Sequence, residues 1–198
     1  MPNSPNVPTP GPLVPHRGNA FTHGLAVLAM RLTGWRFEGA LPNRAKFVLI
    51  VAPHTSNWDF LVGVMAMFAL GLRGTFLGKD TLFRWPFGIA MRWLGGVPVN
   101  RSVAHDVVRQ TVEYFERREQ MVLALSPEGT RRKLPAWRTG FYHVARGADV
   151  PIVPVSFDFP RRCITLLPEF HTTGDQDADI EALRAHFDPR MAKRPELY

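Results

Sequence analysis

The chain has 198 residues, 45% of them hydrophobic, with 24 Lys and Arg against 17 Asp and Glu and a formal charge of +7. That length suits one domain with a sizeable apolar core, and the balance excludes both a disordered chain and an integral membrane bundle. A single cysteine, Cys163, excludes an intramolecular disulfide framework and a cysteine-built zinc site, and fits a reducing compartment.

The charge is unevenly placed. Residues 31–146 hold 17 basic and 8 acidic side chains, whereas residues 147–198 hold 6 and 9. Twenty of the basic residues are Arg, whose planar fork suits phosphate and carboxylate, so an anionic partner is expected at the middle of the chain. Nucleic acid, a membrane surface and a phosphorylated substrate each satisfy that expectation.

Residues 1–20 are read as a Pro-rich mobile tail, because six prolines and no charge fall within the first 15 and such a stretch buries little. It lacks the basic and apolar regions of a secretory signal. A single domain is expected over 21–190, with a short tail at 191–198. Phe21 to Thr33 reads as a short apolar helix stopped by Gly34. Lys46 to Ala52 is a continuous apolar run rich in β-branched residues, the pattern of a central strand covered on both faces. Phe60 to Leu72 is apolar but too short to span a bilayer, and reads as a buried helix or interfacial segment.

Further strands are predicted at Thr75–Gly78, Val97–Val99, Met121–Leu125, Ile152–Phe157 and Ile164–Leu167. Helices fall between them: one capped by Ser102 with Val108, Thr111, Val112 and Phe115 on its apolar face, one from Trp137 to Arg146, and one opened by Asp175 or Asp177 and running through Phe187. Alternating strands and helices give an α/β fold, a mixed and largely parallel sheet flanked by helices.

In such sheets, sites form at the carboxyl ends of strands. Four segments lie there. After the most apolar strand come His54 and, five residues on, Asp59 at a helix start. That carboxylate can hold one ring nitrogen and leave the other as a general base, although a dipole-favoured helix-start acid beside a loop histidine explains the pair equally well. Gly95-Gly96-Val-Pro-Val-Asn-Arg101 brings a tight turn and a guanidinium together. Ser126-Pro127-Glu128-Gly129-Thr130-Arg131 follows another strand, where Gly129 can expose N–H donors and Glu128 is expected ionised and paired among cations. Val150 to Ser156 carries no reactive group, and its Pro154 belongs at a sheet edge or bulge. No Gly-x-Ser-x-Gly elbow, phosphate-binding Gly-Lys loop, dinucleotide fingerprint or His-Glu-x-x-His pair is present, so no cofactor and no metal are expected.

Taken in order, these four blocks resemble those of the glycerolipid acyltransferases, which carry His-x4-Asp, a Gly-rich block ending in Arg, Pro-Glu-Gly-Thr-Arg and a late Val-Pro-x-x-Pro-Val. The resemblance covers about residues 22–170 and implies an αβα sandwich. It implies an O-acyl transfer from acyl-CoA or acyl-carrier protein to the hydroxyl of a lysophospholipid such as 1-acyl-glycerol-3-phosphate. His54 would be the general base and Asp59 its orienting partner. Arg101, Glu128, Gly129, Thr130 and Arg131 would bind the acceptor head, with Lys79 and Ser56 as further members of the pocket. The chain departs from the pattern at Ser126, where an aromatic is usual, and at Arg132, where a small polar residue is common.

A separate segment, Leu82 to Leu94, interleaves Trp85, Phe87, Ile89, Met91 and Trp93 with Arg84 and Arg92. It reads either as an interfacial element at the level of lipid headgroups or as a core helix with two snorkelling arginines. With a lipid substrate implied, a peripheral position at the cytoplasmic membrane face is expected, and nucleic acid is not. Two rival readings stay open: a basic module binding nucleic acid or anionic lipid without catalysis, and a thioester hydrolase using the same site.

Overall fold

The computed structural model describes residues 5–99, 104–129 and 136–198. Among these residues, seven strands form one sheet: β1 (Arg36–Gly39), β2 (Lys46–Ala52), β3 (Gly74–Lys79), β4 (Gly96–Val99), β5 (Met121–Leu125), β6 (Ile152–Asp158) and β7 (Cys163–Leu166). Their order is β1-β7-β6-β2-β5-β3-β4, and every neighbouring pair is parallel except β6 with β7. The mixed, largely parallel α/β sheet expected from the sequence is therefore present. The strand not foreseen, β1, is a four-residue edge strand whose Arg-Phe-Glu-Gly has little apolar pattern.

Among the described residues, six helices cover the sheet: α1 (Ala20–Thr33), α2 (Asn57–Ala69), α3 (Phe87–Trp93), α4 (Ala104–Glu116), α5 (Gly140–Gly147) and α6 (Gln176–Arg184). The strand period of two decides which core each residue of β2 enters. Phe47 and Leu49 join Met30 of α1 and Val62 and Ala66 of α2 on one face. Val48, Ile50 and Ala52 join Phe115 of α4, Phe141 and Val144 of α5 and Leu183 of α6 on the other. This double covering explains why β2 reads as an unbroken apolar run. The helix starts follow local chemistry: Asp175 caps α6 by accepting the Ala178 N–H, and Gly34 ends α1 at φ 77°. α5 begins at Gly140, three residues later than expected, because Trp137 and Arg138 lie in the approach to it. Ser102 lies outside the described residues.

Both termini of the domain were misread. The Pro-rich stretch, expected to be mobile, is docked from Pro5 onward. The Pro5 carbonyl accepts the Phe37 N–H, Arg17 N–H bonds to the Gly71 carbonyl, and Arg73 N–H bonds to the Pro15 carbonyl. Asn43 accepts the Leu13 N–H through its side chain, and Val14 is fully buried in the α1/α2 core, a contribution of roughly 1.5–3 kcal/mol. Proline prevents a helix there, but the extended chain still finds donors at the sheet rim. Residues 191–198, expected to be a tail, pack as well: Ala192 is buried and Tyr198 lies against the α4/α5 core.

Pro154 also departs from expectation. Its strand, β6, is interior, between β2 and β7. The Pro154 carbonyl accepts the Leu167 N–H, so its nitrogen also faces β7, and β7 ends at Leu166. The missing donor falls just beyond the ladder's end, where an interior strand tolerates it.

Candidate active site

β2 and β5 are adjacent and parallel, with Ile50 level with Leu125. The chain leaves β2 for α2 on one face and β5 for α5 on the other, which opens a crevice at the two carboxyl ends. His54 stands four residues past Ile50 and Glu128 three past Leu125, so the crevice brings together two segments 74 residues apart.

Asp59 is fixed first. Ser56 caps α2 by accepting the Trp58 N–H at 3.0 Å, and Asp59 Oδ2 accepts the Ser56 N–H at 2.6 Å, a reciprocal capping box. The same Oδ2 lies 3.5 Å from His54 Nδ1. Asp59 is fully buried and the imidazole is about one-quarter exposed. A carboxylate held by its own helix start thus stands beside one ring nitrogen of His54. This is the geometry a general base needs.

Glu128 differs from its expected role. Its carboxylate, 6% exposed, is turned onto the backbone of the His54 turn, where Oε1 and Oε2 accept the His54 N–H at 2.9 and 3.0 Å. Burial pushes its pKa up to about 7; the His54 N–H works against that rise and the Asp59 charge adds to it. Among the described residues it meets no cation. Glu128 therefore brackets the His54 turn. Ser56, expected on the substrate side, is committed to its cap.

Gly129 adopts φ +63°, and a Cβ there would fall 2.5 Å from Arg138 Cδ. The Arg138 stem lies across this glycine, and its N–H bonds the Pro127 carbonyl at 2.7 Å. Only glycine satisfies both the left-handed backbone and the close approach. Lys79 ends β3 as expected, but its side chain is not described. Arg101, Thr130 and Arg131 lie outside the described residues.

A cavity of about 1820 Å³ runs past this centre and is lined by His54, Asp59, Ser126, Gly129 and Arg138. One arm passes between α2 and the sheet, along Leu49, Val51, Ala66, Val155 and Phe157; the other reaches Trp137 and Phe141 near α5. The first arm is apolar and suits a hydrocarbon chain. The Ser126 hydroxyl, buried on this wall, has no hydrogen-bond partner among the described residues. Among those residues, no three His, Cys, Asp or Glu side chains converge as a metal would need. Sequence reasoning missed Arg138 and Trp137, whose Trp-Arg-Thr-Gly context carries no recognisable motif.

Comparison with known families matches residues 35–158 to the family described as Acyltransferase. The chain belongs to that acyltransferase family. Among curated relatives, the 1-acyl-sn-glycerol-3-phosphate acyltransferase of Escherichia coli (strain K12) is 32% identical over 154 residues, covering 73% of this chain and 61% of the relative. The Homo sapiens 1-acyl-sn-glycerol-3-phosphate acyltransferase beta is 33% identical over 151 residues, covering 71% and 53%. The chain thus spans roughly half to three-fifths of the length of the curated relatives it matches. In fold it is similar to the crystal structure of PlsC, the 1-acyl-sn-glycerophosphate acyltransferase of Thermotoga maritima. That match has a TM-score of 0.61 at 18% identity and covers 84% of this chain and 76% of that one.

Proposed function

We propose that this acyltransferase moves a fatty acyl group from acyl-CoA or acyl-carrier protein to the free hydroxyl of a lysophospholipid such as 1-acyl-glycerol-3-phosphate. The observation that carries the reading is the His54–Asp59 pair, 3.5 Å apart, beside a long apolar arm of the cavity. The imidazole takes the acceptor's hydroxyl proton as its oxygen bonds to the thioester carbonyl carbon. The C–S bond then breaks, and the leaving thiolate recovers the proton from His54. Asp59 holds the ring and stabilises the imidazolium formed in between. The acyl chain lies along Leu49, Val51 and Phe157. The exposed Arg138, which lines the same cavity as His54, supplies positive charge for the acceptor's phosphate, together with Arg101 and Arg131 from the motif.

The same reading sets the protein peripherally on the cytoplasmic membrane face. Trp58, Leu61, Leu82, Trp85, Phe87 and Ile89 are each more than half exposed, and Leu61 and Leu82 also line the cavity. Large aromatic residues left in solvent beside an apolar cavity suit a lipid surface. Among the described residues no helix is long and apolar enough to cross a membrane.

Incubation of the pure protein with labelled acyl-CoA and a panel of lyso-lipids, with products identified by mass, tests the reading. An acylated lysophospholipid is the expected product. Free fatty acid alone would assign the site to thioester hydrolysis, and no turnover combined with tight DNA binding would assign the charge to nucleic acid.

A further inference from the structure

Thr55 separates the base from the helix cap, and it is 1% exposed. Its Oγ1 accepts the backbone N–H of Arg194 at 3.1 Å, across 139 residues of chain. Arg194 belongs to a segment that leaves a short 3-10 turn at Pro189–Met191, runs past the catalytic turn and ends in a second at Pro195–Leu197. Three contacts fix it there. The Met191 carbonyl accepts the Phe159 N–H at 2.9 Å just after β6, and Ala192 is 4% exposed. Lys193 lies over the Phe159 ring, with Nζ 5.8 Å from its centroid. At the other end Tyr198 packs on the α4/α5 core and its phenol meets the Trp137 indole. Burial, reinforced by the nearby Glu128 charge, pushes that phenol up to about 12, so it stays neutral. The segment therefore touches the His54 turn at Thr55 and stands beside its other support, Glu128. All of it lies beyond residues 35–158, which carry the family match.

We infer that residues 189–198 brace the catalytic turn, with Thr55 as a positioning residue that transmits the brace to His54. A buried hydroxyl deprived of its donor, or a donor deprived of its hydroxyl, leaves a polar group unsatisfied and releases the loop between two fixed points, Ala52 and the α2 cap. Glu128, from the turn after β5, holds the amide of His54, and Arg194 holds Thr55. Both are needed to keep the ring within reach of a substrate hydroxyl, where small displacements are costly.

The inference rests on the proposed acyl transfer for its kinetic readout, and a second readout makes it independent of that reading. Thr55→Val, which keeps shape but accepts no hydrogen bond, is expected to lower kcat about tenfold, with KM for donor and acceptor within about twofold of wild type. Thr55→Ser is expected to restore kcat to within about threefold. Ala192→Asp, which lifts the segment without touching the turn, should reproduce the loss, and Thr55→Val added to it should cost little more. Amide hydrogen exchange over residues 53–57 should quicken in both variants while β2 keeps its protection, whether or not any acyl product forms. Wild-type kcat in Thr55→Val, or unchanged exchange over 53–57, would overturn the inference. Equal and additive losses from the two substitutions would do the same, because Thr55 would then act without the segment.

Discussion

At the scale of single residues, the site depends on one carboxylate orienting a ring and another holding its backbone. His54→Ala is expected to lower kcat by about 10²–10⁴-fold at unchanged thermal stability. Asp59→Asn, which keeps shape but loses the charge that favours the imidazolium, should approach about 10⁴-fold. Steady-state acyl transfer beside a melting curve checks both. Glu128 makes a separate prediction from its pKa of about 7 against an ordinary 4.5. The folded protein keeps that proton more tightly than the unfolded chain, so this group's contribution to stability falls as pH rises between those values and is flat outside them. Glu128→Gln has no such proton to lose. Its melting temperature relative to wild type should rise from about pH 5 to about pH 8, and a flat difference would mean that burial does not hold the proton there.

At the scale of elements, the 3-10 turn at Asp80–Phe83 and α3 place Trp85, Phe87 and Ile89 outside the core, at 88%, 71% and 74% exposure. Trp93, although 59% exposed, stacks on Phe68 of α2 with Arg17 over both rings. The segment is thus not the buried core helix of the second sequence reading, since its aromatic residues from Trp85 to Trp93 are largely exposed. Trp85→Ser with Phe87→Ser should weaken binding to anionic vesicles by about tenfold or more while leaving the turnover of a soluble short-chain acceptor unchanged. Vesicle co-sedimentation and a monomeric-substrate assay separate the two effects.

The elements most legible in the sequence were those whose pattern is local. β2 is unbroken apolar sequence because both its faces are covered, and Gly34 and Asp175 are residues chosen by helix-end geometry. What the sequence concealed depends on distant contacts. Pro5 to Arg17 looked unable to fold because it lacks helix and strand patterning, yet it docks through backbone groups that any residue possesses. Arg194 reaches Thr55 through its N–H, which no side-chain pattern reports. For the site, the His54–Asp59 pair was legible because a five-residue spacing sits within one turn and cap. The motif located Glu128 at the site, but its burial and its bond to the His54 N–H are properties of the folded crevice and carry no sequence signal.

At the scale of the whole molecule, the cavity arm between α2 and the sheet couples ligand to fold. An acyl chain occupying it binds the folded state alone. Long-chain acyl-CoA at about 100 times its Kd should add about 2.7 kcal/mol, which for a domain of this size raises Tm by roughly 5–10 °C. A short-chain thioester, which leaves most of Leu49 to Phe157 uncovered, should raise it much less. Differential scanning calorimetry with matched chain lengths distinguishes chain filling from binding of the nucleotide head.

Under the proposed action at a lipid surface, the exposed aromatic residues beside the cavity would also set which concentration the protein responds to. An enzyme that meets its acceptor from a bilayer samples substrate per unit area. Its velocity would then follow the mole fraction of lyso-lipid in the surface and would fall when inert lipid is added, although the amount of substrate in the tube is unchanged. On that reading, rates of this protein on different lipid mixtures would be comparable only at matched surface composition.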